Sequence, residues 1–68
     1  MRIRLHDGRL LADLLSHMRE GGCIAYFQTN ESIEVLRPTR GGAEAGEIRE
    51  LLARWSAAHP GADPEILS

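Results

Sequence analysis

The sequence predicts an α+β domain whose elements run strand, helix, strand, strand, helix, strand. Three observations predict it. The N-terminus alternates strictly between apolar and charged residues, two later stretches space their apolar residues as helices do, and two short β-rich segments lie between those stretches.

Met1, Ile3 and Leu5 fall on one face of the opening segment and Arg2 and Arg4 on the other, the pattern of a strand with one wet side. His6-Asp7-Gly8 breaks the alternation, and Asp7 is placed to cap the following helix by accepting from its free amides. From Arg9 to Glu20, Leu10, Leu11, Leu14, Leu15 and Met18 form a single helical stripe, which leaves Asp13, His17 and Glu20 toward solvent. Gly21-Gly22 ends that helix, because glycine enters the left-handed region without a Cβ clash.

Cys23 to Gln28 and Ser32 to Arg37 are rich in β-branched and aromatic residues, and Thr29-Asn30-Glu31 between them reads as a hairpin turn. Phe27, Ile33 and Val35 are the expected core set of the hairpin. Ile24, Tyr26 and Leu36 then share the opposite face with Arg2, Arg4 and Glu34, where an arginine facing Glu34 makes an ordinary cross-strand pair. Pro38 ends the pairing, and Thr39 to Gly42 is read as a flexible loop. The second helix is expected from Ala43 or Glu44 to Ala58, with Ile48, Leu51, Leu52, Trp55 and Ala58 as its buried stripe. Glu44 and Glu47 suit its first turn, Glu50 and Arg54 are spaced for an i, i+4 pair, and His59-Pro60-Gly61 stops it. Glu65-Ile66-Leu67 is read as a final strand, with a frayed tail as the alternative and with Ile66 or Leu67 facing the helices.

Interleaving two right-handed strand–helix–strand units yields an antiparallel four-stranded sheet of order 4-1-3-2 with both helices on one face. This βαββαβ order resembles the ferredoxin-like two-layer sandwich over the whole chain. A looser resemblance joins the Met1 to Leu5 opening, the Leu-rich helix into Gly21-Gly-Cys-Ile-Ala25, and Trp55 followed by His59-Pro60-Gly61. In these pieces the chain is similar to small bacterial proteins, chiefly actinobacterial ones, for which no activity is established. That resemblance implies no site residues.

The 68 residues form one domain, residues 1–68, and a chain this short buries only about 60% of the surface its unfolded form exposes. A single cysteine excludes an internal disulfide, and no Cys/His grouping has metal-ligand spacing, so self-association is the expected source of added stability. The net charge of −2 gives no field toward nucleic acid or an anionic membrane. All 8 basic residues are arginine, a bias that a GC-rich genome explains without any phosphate site. There is no signal-peptide run and no membrane-length apolar window. A strand opening at Met1 and a lone cysteine lead us to expect a whole gene product working in the cytoplasm.

Sites of chemistry are sparse. Cys23 follows a helix C-terminus, whose partial negative charge disfavours a thiolate, so it reads as a small buried apolar residue. His6, His17 and His59 lie on different elements without metal spacing, and the neighbouring His6 and Asp7 point apart. The Arg37 to Gly42 loop enters a helix, but it lacks phosphate-loop spacing and Glu44 and Glu47 oppose an anion there. The expectation is a non-enzymatic binding or regulatory domain without cofactor. It is expected to be a homodimer, with a protein or a small ligand as a further possible partner, through a sheet edge or the face bearing Arg2, Arg4, Ile24, Tyr26, Glu34 and Leu36. The alternative is a nucleic-acid module using Arg2, Arg4, Arg37 and Arg40. It is disfavoured because the only aromatic on that face, Tyr26, lies on an edge strand rather than a central one.

Overall fold

The structure, a computed structural model, describes the backbone of residues 1–37 and 44–67 and, within the second helix, side chains from Gly46 onward. The elements are β1 (Arg2–Arg4), a 3-10 turn (Gly8–Leu10), α1 (Leu11–Glu20), β2 (Ile24–Phe27), β3 (Ser32–Leu36), α2 (Glu44–Ala58) and β4 (Glu65–Ile66). The strands form one four-stranded sheet in the order β2-β3-β1-β4, every neighbouring pair antiparallel. A sheet has no preferred end, so counted from β4 the same neighbours run 4-1-3-2.

Register sorts the side chains. Ile3 faces Ile33, Ala25 faces Val35, and Ile66 faces Ile3 on the side that the helices cover. Leu11, Leu14, Leu15 and Met18 of α1 and Ile48, Leu52 and Trp55 of α2 join Ile3, Ala25, Ile33 and Val35 in one buried cluster. Both helices therefore pack on the same side of the sheet. Each fully buried aliphatic side chain contributes about 1.5–3 kcal/mol, and this cluster is the main source of stability.

The helix ends follow from local chemistry. Asp7 accepts from the Arg9 amide at 3.0 Å and so caps the 3-10 turn that leads into α1. Its side chain also takes the Arg9 guanidinium, and these Arg9 contacts hold the Asp7 carboxyl below its ordinary range. Gly22 at φ +91° receives the chain from α1, and Gly61 at φ +92° does the same after α2. In the hairpin turn, Gln28 N–H donates to the Ser32 carbonyl at 2.9 Å, and the Thr29 and Ser32 hydroxyls are 2.7 Å apart. That contact satisfies the hydroxyl of Ser32, a buried polar residue.

Several positions depart from the sequence reading. Phe27 lies on the helix-covered side by register, yet it is 55% exposed on the edge strand β2. Ala58, in the last turn of α2, is exposed rather than buried. Asp13 is exposed as expected but also reaches Trp55 of α2, and His17 is half-buried against the Leu51 carbonyl rather than free in solvent. The final strand covers only Glu65 and Ile66; Ile66 takes the helix side, and the Leu67 amide bonds the Arg2 carbonyl at 2.9 Å. The loop expected at Thr39 to Gly42 lies outside the described residues.

Candidate interaction surface

The side of the sheet away from the helices carries all six residues expected there. Three cross-strand rows define it. Ile24 sits opposite Leu36; Tyr26, Glu34 and Arg2 form the second row; Ser32, Arg4 and Glu65 form the third. Ile24, Tyr26 and Leu36 are 55%, 47% and 40% exposed, a contiguous apolar corner on β2 and β3. Leu67, 43% exposed, follows β4 at the other edge.

The charges on this face are mostly engaged within the chain. Arg4 bonds Glu65 at 2.5 Å rather than Glu34, because β4 brings a carboxylate directly opposite it. Glu34 lies 3.9 Å from the Met1 ammonium, which donates to the Val35 carbonyl at 2.7 Å. Arg2 is exposed beside Glu34 in register, and the pair is not in ion-pair contact. The arginine–Glu34 pair expected from sequence is thus replaced on both sides. Arg4 Nε and Glu34 Oε2 are shielded from solvent without a hydrogen-bond partner among the described residues.

Arg37 turns back from the end of β3 toward the start of α2. It donates to the Gly21 carbonyl and pairs with Glu47. Hydrogen bonding to Cys23 and then to Glu47 raises its pKa further above the ordinary arginine value. Sequence spacing had supplied no cation near Cys23, and the fold supplies one. The thiol is nevertheless buried, and its arginine is shared with a carboxylate and a carbonyl. Arg40, the remaining arginine of the nucleic-acid alternative, lies outside the described residues.

Between the helices is a second cluster that the sequence did not announce. The Trp55 indole N–H donates to Asp13 Oδ2 at 2.9 Å, and the His59 ring stacks on Trp55 at 4.2 Å and 17°. His59 Nδ1 lies 2.9 Å from the Trp55 carbonyl oxygen and Nε2 lies 3.1 Å from Asp13 Oδ2. A ring bearing one N–H satisfies only one of these acceptors at a time. His17 Nε2 lies 2.9 Å from the Leu51 carbonyl oxygen. These contacts tie α1 to α2 along its length. The cleft beside them, lined by Asp13, His17, Glu20, Arg54, Trp55 and His59, holds about 200 Å³ and is open to solvent. That is below the ~300 Å³ at which ligand pockets begin. Among the described residues no group of three or more His, Cys, Asp or Glu side chains is placed to hold a metal ion. His6 is exposed, and Asp7 is occupied by Arg9.

Against known proteins, the chain matches no family model, no curated protein and no solved structure. Among the described residues, no helix is long and apolar enough to cross a membrane.

Proposed function

We propose that this chain is a non-catalytic binding or regulatory domain of ferredoxin-like type that forms a homodimer by self-association of its open sheet. The observation that carries the reading is the exposed corner of Ile24, Tyr26 and Leu36 on the face opposite the helices. Large apolar side chains grouped on one surface and rimmed by charge favour a partner over water. A second copy is the partner whose charges fit. The face holds Arg2 and Arg4 together with Glu34 and Glu65, so an identical face meets it without net repulsion. In a two-fold arrangement each apolar corner covers the other.

The charge pairing weighs against the nucleic-acid alternative. Arg4 is committed to Glu65 and Arg37 to Glu47, and Glu34 stands opposite Arg2 in register. Against an enzyme, Cys23 is buried, and among the described residues His17 and His59, which line the cleft together with Ser16, have the Leu51 and Trp55 carbonyls and Asp13 as partners rather than a hydroxyl. Sedimentation equilibrium tests the reading. The wild type is expected to be a dimer at tens of micromolar and Tyr26→Asp a folded monomer. A wild-type monomer at that concentration, or a Tyr26→Asp dimer of unchanged affinity, overturns it.

A further inference from the structure

Edge strands expose unpaired backbone groups, and β2 is the longer of the two edges here. The direction of its backbone groups follows from the hydrogen bonds around it. Gln28 pairs with Ser32 through the Gln28 amide, so hydrogen-bonded pairs toward β3 fall at residues 28, 26 and 24 of the strand. The amide and carbonyl groups of Ala25 and Phe27 therefore point outward, away from β3. The Cys23 amide also leaves the sheet, and it is satisfied by the Met18 carbonyl at 3.0 Å.

One of those outward groups is already occupied. Arg19, in the last turn of α1, donates to the Ala25 carbonyl through Nε at 3.0 Å and through Nη2 at 2.7 Å. A carbonyl has two lone-pair sites, and the planar guanidinium places two donors on this one. An antiparallel copy of β2 needs the Ala25 carbonyl in each register that makes more than the Phe27 pair alone. A ladder centred on Ala25 uses it, and so does one centred between Ala25 and Phe27. The strand itself carries Ile24, Ala25, Tyr26 and Phe27, with no proline, no charge and no bulge of its own to blunt it.

We propose that Arg19 is a guard residue that closes the β2 edge to strand addition by a second copy of this chain, which confines self-association to the open face. This chooses between the two surfaces left open by the self-association reading. The guard itself rests only on strand pairing and holds for a monomer as well. The excluded occupant is an antiparallel β2 from another copy, whose outward groups at Ala25 and Phe27 have the same arrangement and whose Ala25 carbonyl is held by its own Arg19.

The test replaces Arg19 with methionine, which keeps the aliphatic stem and helix preference and removes the guanidinium. Arg19→Met is expected to keep its far-UV spectrum, to form assemblies larger than the wild type on sedimentation, and to slow exchange of the Ala25 and Phe27 amides roughly five-fold, the factor given by one net hydrogen bond. Adding Phe27→Pro, which deletes an outward donor and no bond to β3, is expected to return the mass to that of the wild type. A folded Arg19→Met with wild-type mass and unchanged exchange overturns the proposal. So do large assemblies that persist with Phe27→Pro, which mark unfolding as their source. Protection of Ala25 and Phe27 amides in a wild-type dimer also overturns it, because the edge would then be in use. A wild-type monomer removes the self-association reading and leaves the guard to be judged by Arg19→Met alone.

Discussion

Replacing Asp13 with alanine measures how much of the fold depends on the contact between its helices. Trp55 is 2% exposed, and its indole N–H has Asp13 as its acceptor at 2.9 Å. Removing the acceptor strands a buried donor, which costs about 1–3 kcal/mol. The His59 contact adds less, because the Asp13 side chain is 60% exposed and a water-facing pair contributes about 0–1 kcal/mol. The sum is about 2 kcal/mol. In a domain of this size 1 kcal/mol moves the melting midpoint by about 4–8 °C, so Asp13→Ala is expected to lose roughly 8–16 °C. Asp13→Asn keeps an oxygen that accepts from the indole and is expected to lose less than half as much. In a Trp55→Phe background there is no N–H to strand, and Asp13→Ala there is expected to cost only about 0–1 kcal/mol. Far-UV circular dichroism is the assay, since it reads both backgrounds alike. Equal losses in the two backgrounds, or an unchanged midpoint for Asp13→Ala, refute the hydrogen bond as the link.

Gly22→Ala and Gly61→Ala both place a side chain in the left-handed region, at φ +91° and +92°, and each is expected to cost about 1–2 kcal/mol in urea unfolding. A Cβ at Gly22 also comes within 3.1 Å of Arg37 Nη1 whereas Gly61 faces open space, so Gly22→Ala is expected to be the costlier of the two. Because Arg9 lowers the Asp7 carboxyl, the Asp7–Arg9 contact adds stability above the unfolded-state value near 3.8 and loses it as pH falls through the lower folded value. Melting curves of Asp7→Asn are therefore expected to lie below the wild type at neutral pH and to converge with it in strong acid. Ile24→Ser and Leu36→Ser are expected to change monomer stability by no more than about 0.5 kcal/mol, because both side chains are exposed, while each weakens the proposed dimer in sedimentation.

The elements and the core-facing leucines of α1 were legible because burial on one side leaves a periodic trace. Ile3, Leu11, Leu14, Leu15, Met18 and Ile48 all lie where spacing puts them. The open face was legible for the same reason, since alternation assigns Arg2, Arg4, Ile24, Tyr26, Glu34 and Leu36 together once the strands are known. Partner choice was not legible. Arg4 chooses Glu65 over Glu34 through the placement of β4, and no local pattern encodes that neighbour. Phe27 has the right parity for the core and yet stays exposed on the edge strand, which alternation alone does not encode. Asp13 meets Trp55 and His59 across 42 and more residues of chain, so only the packing of α1 on α2 brings it to them, whereas Trp55 and His59 stack one helical turn apart. The single hint was a charged residue at position 13 beside the apolar stripe of its helix. The guanidinium of Arg19 was equally hidden, because its acceptor is a backbone carbonyl on another element.

The chain holds 1 tryptophan and 1 tyrosine, and the pleated layer separates them. The indole lies between the helices against an imidazole, whereas the phenol stands on the bare side opposite Glu34. Each chromophore therefore watches a different event without any label. Loosening of the helix pair alters the environment of the indole, and docking onto the bare side alters that of the phenol.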